Sequence, residues 1–406
     1  MRRPAGARPA TIADVARLAG VAKSTVSNYF NDQIRVSPES GRRIAEAVAE
    51  LGYQPAEVAR SMTSRRRATQ NIARLDARVP CLTTVGHVSV DYIARLDDLP
   101  ARADRVLARK IVKAVGGPAA NVAAIAAGLG GDWRVACSLL TAVGNDIDSD
   151  WAIAELAGRG VDIVTPAGQR DGRLARALVM VEPDGRRTIV AEPISVGEVD
   201  LDLFIAAHAP PRRRWCLHFE GFQVPHQMPR VLAARATGFR TAMHTTGLPA
   251  SWVAANAELA FSSFDVLTLQ RETLPALPGC PPRPAEAVDW LARLSRRAAP
   301  WPAAVIVSLG LEGAVLIEAG GRVTRCRGSG LDRVDETGAA DALVGTFLAL
   351  WLHGVAGADA LPHACAAAAL VATRLGAQEM RPSAHDLRAQ VGATTRAAAG
   401  AEPIQE

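Results

Sequence analysis

The chain has 406 residues, of which 49 % are hydrophobic and 21 % are charged. This composition leaves room for two or three folded domains and excludes a chain that is disordered throughout. The N-terminal stretch "MRRPAGARPATIADV" is basic but has no apolar core, so it does not predict a secretory signal. No uncharged apolar run of about 18 residues is present, and we therefore expect a cytoplasmic protein without membrane contact.

The charge of the chain is unevenly distributed. Residues 1–67 hold 12 Lys and Arg against 6 Asp and Glu, a balance of +6, whereas the whole chain is at +5. A basic segment joined to a nearly neutral body predicts a polyanionic partner at one end only. The six cysteines include no CxxC pair, which argues against zinc and disulfides and favours a reducing compartment.

Three short helices are predicted within the first 51 residues. The first ends at a turn at Gly20, and the second begins near Ala22. Ser37 and Pro38 suit an N-cap and a first helical position, which start a third helix that ends before Gly52. Inward-facing positions are expected at Ile12, Val15, Ala16, Ala19, Val26, Tyr29, Phe30, Ile44, Val48 and Leu51. Two short helices around a glycine turn, supported by a third, indicate a helix-turn-helix unit.

Residues 11–62 resemble the DNA-binding headpiece of the lac repressor family. The resemblance is carried by "TIADVARLAGVAKSTVSNYFN" and "VSPESGRRIAEAVAELGYQPAEVAR". It implies a headpiece over residues 1–62 that binds operator DNA as a dimer, with a hinge helix from about Pro55 to Met62. The residues it assigns to DNA contacts are Lys23, Ser24, Thr25, Asn28 and Met62. The simpler alternative is a three-helix bundle with solvated charges, but turn, cap, hinge and local charge all agree with DNA binding.

The remainder alternates strand and helix patterns after a basic linker over residues 63–80. Buried strands are expected in "CLTTVGHVSV", "RVACSLLTAVG", "VLTL" and "AAVIVSL", and a hairpin in "ALVMVEPDGRRTIV" turns at Asp184-Gly185. Helices are expected near 119–130, 149–159, 283–298, 338–353 and 359–375. This alternation predicts an α/β sandwich with a largely parallel sheet over residues 81–390. Residues 391–406 are predicted to form a disordered tail.

Three stretches in this body resemble the ribokinase family of carbohydrate kinases, the PfkB family. They are "VGHVSVDYIARLDDLP", "GGPAANVAAIAAGLGG" and "DETGAADALVG", and the resemblance extends from residue 81 to about 385. It implies a ribokinase-like α/β sandwich with a small β lid at about residues 92–114, which closes over the sugar and often forms a dimer contact. ATP and Mg²⁺ are the implied cofactors, and a small sugar or polyol is the implied substrate.

The ribokinase resemblance also implies roles for single residues. Asp341 corresponds to the catalytic base that takes the proton of the sugar hydroxyl. The implied sugar-binding residues are Asp91, Gly116, Gly117 and Asn121. The implied anion hole and ATP-binding residues are Gly338, Ala339, Ala340, Ser308, Gly310 and Gly313. Each has a simpler reading, with Asp341 as a first-turn carboxylate of a helix and Asp91 as a cap at a strand end.

The sequence departs from the ribokinase pattern on its metal and nucleotide side. Ala340 replaces a glycine of the anion hole, and Gln270 to Thr273 replace an Asn-x-x-Glu motif that orders magnesium. Pro118 and Cys365 stand where family members often carry lysine and asparagine. Two functions therefore stay open: a DNA-binding regulator that phosphorylates or senses a sugar, and a pure sugar-responsive repressor with a degenerate kinase fold. His218, Glu220 and His226 have irregular spacing and are interpreted as strand and loop residues, with no metal site.

The headpiece assignment makes a direct prediction about DNA binding. Replacing Arg65, Arg66 and Arg67 by glutamine should weaken binding to all DNA and lower its salt dependence, because these side chains neutralise phosphates. Replacing Asn28 by alanine should instead change which half-site is preferred. Both are measured by selection from random DNA and by titration of the selected site at several salt concentrations. A parent chain without sequence preference would contradict the assignment.

Overall fold

The computed structural model describes residues 11–31, 37–51, 78–165, 172–194, 196, 199–297 and 300–400. The chain divides near residue 70 into two compact units. The described residues of the N-terminal unit form three helices: α1 (Ile12–Ala19), α2 (Lys23–Asn31) and α3 (Pro38–Leu51). All three lie where the sequence predicts them.

Local signals fix the ends of the first and third helices. Thr11 and Asp14 form a capping box at the start of α1, and Gly20 ends it in the left-handed region at φ 62°. Ser37 accepts the Ser40 backbone N–H at 3.3 Å, as expected of an N-cap. The buried core of this unit consists of Val15, Ala16, Ala19, Val26, Ile44 and Ala47.

The prediction that Tyr29 lies in the core of the headpiece is wrong. Tyr29 is 37 % exposed and lies beside Gly41 of α3, where a methyl group would come within 3.6 Å of its ring. The Tyr29 ring therefore rests against α3 at a distance that a methyl group would tolerate. The side chains of Asn28 and Phe30 lie outside the described residues, as do Met62, the hinge helix and most of the basic linker.

The part of the second unit that the structure describes contains thirteen strands. These are β1 (Cys81–Val85), β2 (Ser89–Arg95), β3 (Lys110–Gly116), β4 (Ala136–Leu140), β5 (Val161–Val164), β6 (Arg176–Val181), β7 (Arg187–Ala191), β8 (Trp215–Glu220), β9 (Arg240–His244), β10 (Val266–Gln270), β11 (Ala304–Ser308), β12 (Gly313–Glu318) and β13 (Arg322–Arg327). Nine of them form one sheet in the order β13-β12-β11-β10-β9-β8-β1-β4-β5, and the other four form a second sheet. The larger sheet is parallel except at β12 and β13, as predicted.

Nine helices complete the described part of this unit. They are α4 (Pro118–Gly128), α5 (Ile147–Gly158), α6 (Leu201–His208), α7 (Val224–Ala236), α8 (Ala250–Ser263), α9 (Pro284–Ser295), α10 (Ala339–Leu352), α11 (Gly357–Val371) and α12 (Ala384–Gly400). Short 3₁₀ turns occur at Gly131–Trp133, Arg271–Ala276, Gly310–Glu312 and Ala319–Gly321. Two apolar clusters cover the large sheet, one containing residues of α4, α10 and α11 and the other residues of α6, α7 and α9. Burial on both faces explains why its strands read as continuous apolar runs.

The smaller sheet has the order β3-β2-β6-β7. The segment "CLTTVGHVSV" is therefore not one strand, because the chain leaves the large sheet after β1 and enters the small sheet at β2. Gly86 makes this exit possible, since a methyl group there would lie 2.3 Å from the Glu220 carboxyl carbon. The lid predicted at 92–114 contains most of β2 and β3 but lacks the β6–β7 hairpin, which pairs with β2.

The predicted tail is also partly wrong. Residues 391–400 continue α12, which begins at Ala384 and buries Leu387 in the core. Alanine and arginine have high helix propensity, so the segment extends the helix. Residues 401–406 lie outside the described residues. Among the described residues, no helix is both long and apolar enough to span a bilayer.

Helices α4 and α10 pack through small residues. A methyl group on Gly345 of α10 would lie 2.6 Å from the backbone oxygen of Val122 on α4. Most of α4 is alanine, which allows the two backbones to approach closely. Because α4 and α10 carry Asn121 and Asp341, this contact sets the distance between two predicted site residues.

We expect Gly345→Ala to lower the free energy of unfolding by roughly 1–3 kcal/mol, since the added methyl group overpacks this contact. The matched control is Gly158→Ala at the exposed end of α5, where a methyl group meets nothing within 4 Å. The control should raise stability by up to about 1 kcal/mol through helix propensity. Urea denaturation measures both, and equal midpoints for the two variants would contradict the packing analysis.

Candidate active site

The stretch "VDETGAADALVG" forms a tightly held loop that ends in α10. Asp335 is fully buried, and its carboxylate accepts the backbone N–H groups of Thr337 at 2.9 Å and Gly376 at 2.8 Å. The Thr337 hydroxyl donates to the same carboxylate at 2.6 Å. Three donors on one buried side chain fix the path of the loop before the helix begins.

Glycine is required at one position of this loop. Gly338 precedes α10 with φ 79°, and a methyl group there would lie 2.5 Å from the side chain of Ala377. Ala340, two residues later, is within the helix and has no positive φ; among the described non-glycine residues only Ala103 does. The alanine at 340 is therefore unstrained.

Asp341 lies in the first turn of α10 and is 6 % exposed. Its Oδ2 accepts the side-chain N–H of Asn121 at 2.8 Å, and its Oδ1 lies 3.5 Å from Nε2 of His244. Burial raises the pKa of Asp341 to about 7, and the Asn121 hydrogen bond and the charge of Arg187 oppose that rise. A carboxylate with this pKa can take up and release a proton near neutral pH.

A buried amide network orients Asn121. Its Oδ1 accepts the side-chain N–H of Gln378 at 2.8 Å, which leaves the Asn121 N–H to face Asp341. Gln378 in turn accepts an N–H of Arg159 at 3.1 Å. Gln378 was not predicted from the sequence, because it lies far from Asn121 in the chain and no local pattern marks it.

The other predicted sugar-binding residues gather next to this network. Asp91 on β2 is 8 % exposed and accepts the Ser89 hydroxyl at 2.9 Å, while burial raises its pKa to about 6. A methyl group on Gly116 would lie 2.2 Å from the Asp91 carboxylate, and one on Gly117, at φ 100°, would lie 2.4 Å from the oxygen of His87. Both glycines are therefore needed for the close approach of β3 to the β1–β2 connection.

All but one of the predicted nucleotide residues line a single pocket, the exception being Gly338. Ser308, Gly310, Gly313, Ala339 and Ala340 all border it. Further lining residues are Arg187, Gln270, Glu272, Gly328, Ser329, Leu331, Arg333, Glu336, Leu343, Cys365, Ala368, Ala369 and Ala372. The N-terminus of α10 thus presents Ala339 and Ala340 to this pocket, while Asp341 faces Asn121.

Two of the residues that replace the family's magnesium motif bond to neighbouring threonines. Thr273 donates its hydroxyl to Thr245 at 3.0 Å, and the Gln270 side chain donates to Thr246 at 2.9 Å. Glu272 borders the same pocket, one position earlier than the family motif places its carboxylate. A carboxylate therefore lies at the pocket, although the sequence spacing is shifted.

Glu220 is a buried residue whose part in the site was not predicted from the sequence. It ends β8 and accepts the backbone N–H groups of His87 at 2.8 Å and Ala119 at 3.0 Å, and it forms an ion pair with the His87 side chain. These bonds tie the β1–β2 connection to the start of α4. His218 also lies on β8 as expected, whereas His226 lies within α7 and not in a loop.

In the N-terminal unit, the predicted base-contacting residues lie at the start of α2. Lys23 and Ser24 are exposed and Thr25 is half-exposed. Val26 is directed into the core, so α2 presents its polar N-terminal side chains to solvent. This is the geometry that a recognition helix needs to reach base edges.

Comparison with known proteins identifies both units. The profile of the pfkB family of carbohydrate kinases matches residues 80–384, and that of the lacI family of bacterial regulatory proteins matches residues 11–56. The chain therefore belongs to the pfkB family of carbohydrate kinases, and it carries a lacI-family helix-turn-helix headpiece.

Curated relatives match the headpiece. The transcriptional regulator KdgR of Bacillus subtilis is 51 % identical over 53 residues, which are 13 % of this chain and 16 % of that protein. The sucrose operon repressor of Vibrio alginolyticus is 49 % identical over 53 residues, 13 % of this chain and 56 % of that sequence. The chain thus spans less than two thirds of the length of these relatives.

Solved structures match the second unit. A putative ribokinase from Agrobacterium tumefaciens has a TM-score of 0.65 at 18 % identity, covering 79 % of this chain and 99 % of its own. Ribokinase from Arabidopsis thaliana, solved with ribose and ATP, has a TM-score of 0.59 at 20 % identity, covering 77 % and 99 %. At these identities the likeness establishes a ribokinase-like α/β fold.

The raised pKa of Asp341 predicts a pH-dependent stability. Its folded pKa of about 7 exceeds the usual 3.8, so its ionisation destabilises the fold increasingly as pH rises from about 4 to about 7. Asp341→Asn should therefore stabilise the protein more at pH 8 than at pH 5, by roughly 1–3 kcal/mol. Urea denaturation at both pH values tests this, with Asp289→Asn, an exposed carboxylate, as control. An equal effect at both pH values would contradict the shift.

Proposed function

We propose that this protein is a DNA-binding transcriptional regulator whose second domain is an ATP-dependent sugar kinase. The observation that carries the kinase part is the placement of Asp341. It is buried and held by Asn121 at 2.8 Å, while the two preceding residues border a separate pocket. A base on one side of a helix N-terminus and an anion-binding pocket beside it are the two parts that phosphoryl transfer requires.

The sugar binds, on this proposal, between Asp91 and Asp341. Asp91 accepts hydrogen bonds from sugar hydroxyls. Gly116 and Gly117 have no side chains, so the sugar can approach the backbone there. Asp341 accepts the proton of the attacking hydroxyl, for which a pKa of about 7 is well matched to neutral pH. Asn121 holds the accepting carboxylate in place through its own bond to Gln378.

ATP occupies the pocket bordered by Ser308, Gly310 and Gly313. Small side chains of α11, Ala368 and Ala369, leave room for a flat base. Ala339 and Ala340 bring the positive end of α10 to the same pocket, where it would favour phosphates. Arg187 adds a positive charge at the same pocket. Magnesium supplies charge neutralisation when it is bound with the nucleotide, and Glu272 and Gln270 are the oxygen donors that border the pocket.

A second function is favoured by one observation. Thr273, at the family's glutamate position, donates to Thr245 and so supplies no carboxylate there. A protein with this change and slow turnover would use the same cleft to sense a sugar. The retained Asp341 and the position of Glu272 favour turnover, and we place the sensor second.

The headpiece binds operator DNA as a dimer on this proposal. One helix-turn-helix contacts too few bases to specify a site, so two copies must read two half-sites. Exposed apolar side chains on the lid, Leu178, Ile189 and Val190, support a dimer contact at the small sheet. The sugar would then act on DNA binding through the domain that binds it.

An ATP-consumption screen against a panel of sugars, polyols and nucleosides tests the kinase proposal. The parent protein should release ADP with at least one compound, and Asp341→Asn should reduce that rate by several orders of magnitude while the compound still binds. Ala340→Gly should change the rate only modestly, because residue 340 already has helical geometry. Binding without ADP release by the parent would favour the sensor, and activation by Ala340→Gly of about a hundredfold would show that the anion hole is defective.

A further inference from the structure

Two buried histidines lie directly behind the proposed catalytic base. His244 ends β9 and His218 lies on the neighbouring β8, and their rings stack with centroids 5.0 Å apart and planes 9° apart. Nδ1 of His244 is 3.0 Å from Nε2 of His218, so one of these nitrogens donates to the other. On its other side, His244 directs Nε2 toward Oδ1 of Asp341 at 3.5 Å.

Burial of these two histidine rings lowers the stability of the fold, because their polar atoms are not all hydrogen-bonded. Both rings are almost completely buried. Burial lowers the pKa of His244 to about 4 and holds that of His218 well below its usual range, so both are neutral. Nδ1 of His218 has no hydrogen-bond partner among the described residues, and Nε2 of His244 has only the 3.5 Å approach to Asp341. Apolar side chains would fill this space without unpaired polar atoms.

The charge of Asp341 decides between the two possible tautomer arrangements. If His244 carries its proton on Nε2, it presents an N–H to the carboxylate and accepts from His218 through Nδ1. In the reverse arrangement, His244 presents a lone pair to the carboxylate, and the proton on His218 has no acceptor. An ionised Asp341 therefore selects the first arrangement, in which His218 fixes the tautomer of His244.

We propose that His244 is a positioning residue for phosphoryl transfer, which donates its Nε2–H to the ionised Asp341 carboxylate and is held in that tautomer by His218. The inference deepens the proposed kinase function and rests on it. Asp341 then has a donor for each oxygen, Asn121 for Oδ2 and His244 for Oδ1. For this bond to form, the 3.5 Å separation of Nε2 and Oδ1 has to shorten.

Other charged groups also act on Asp341. Arg187 of β7 favours its ionised form, whereas Glu220 of β8 and Asp91 of β2 oppose it. Glu220 also acts on His244, in the direction that favours a proton on the ring. A test of His244 must therefore separate its hydrogen bond from the summed effect of these charges, which variants at residue 244 leave in place.

The first experiment needs no substrate. The full-length protein is labelled with ¹⁵N at histidine, and the ring signals of His244 are identified by their loss in His244→Gln. They should show an inflection near pH 7, where Asp341 titrates, although His244 itself stays neutral there. The inflection should be lost in Asp341→Asn. An absent inflection, or one that persists in Asp341→Asn, would overturn the proposal whether or not the protein is a kinase.

The second experiment measures kcat/KM against pH, with the compound that gives the highest ADP release in the panel. His244→Leu removes the donor and should move the acid limb up by about one pH unit, a loss of roughly ninefold at pH 6 with little change at pH 9. His244→Gln, which keeps an N–H at a similar reach, should restore most of the rate at pH 6. Thr346→Val, a change at a fully buried hydroxyl of α10, is the packing control and should leave the limb in place.

The outcomes separate the two proposals. A loss in His244→Leu that is equal at all pH values, or that His244→Gln shares, would overturn the positioning role and leave the kinase function standing. An absence of ADP release with every compound would overturn the kinase function and with it any role in transfer, while the ¹⁵N titration would still report whether His244 contacts the carboxylate.

Discussion

The site depends on one buried carboxylate at the start of a helix. Asp341 is 6 % exposed, and water therefore contributes little to its solvation. The protein replaces that water with the Asn121 N–H, the positive end of α10 and the charge of Arg187, yet burial still raises its pKa to about 7. The close packing of α4 on α10 through Gly345 holds donor and acceptor at 2.8 Å. The raised pKa of Asp341, on which its proposed role as a base depends, is thus a consequence of how two helices pack.

The sequence predicted the architecture because its signals are local or periodic. Apolar runs located β1, β4, β10 and β11, and caps and glycines located the three headpiece helices within a few residues. The sequence did not predict the features that depend on pairing between segments distant in the chain. Nothing local in "CLTTVGHVSV" shows that the chain changes sheets at Gly86, and nothing in the β6–β7 hairpin shows that it pairs with β2. The prediction of a disordered tail was wrong over residues 391–400 for the opposite reason, because there the local helix propensity decides the structure.

The site residues divide in the same way. The family resemblance supplied Asp341, Asn121, Asp91 and the glycines. The structure places Asn121 against Asp341, Gly116 against Asp91, and Gly310 and Gly313 at one pocket. Residues that act through others were missed: Gln378 orients Asn121, Glu220 ties two loops, and His244 faces the base. Their partners lie 257, 101 and 97 residues away in the chain, so no motif of fixed spacing can reveal them.

The departures from the family pattern are tolerated according to what each position contributes. Residue 340 contributes a backbone N–H in helical geometry, which alanine supplies as well as glycine does. Gly338 contributes a positive φ and space beside Ala377, and no other residue supplies both. At residue 273 the side chain itself matters, and a threonine that bonds to Thr245 cannot replace a carboxylate. On the proposed function, magnesium is bound by side chains and phosphate by backbone N–H groups. A substitution at the magnesium side therefore lowers activity more than a substitution in the anion hole. This asymmetry is why the geometry of the base can persist in a chain whose magnesium motif has changed.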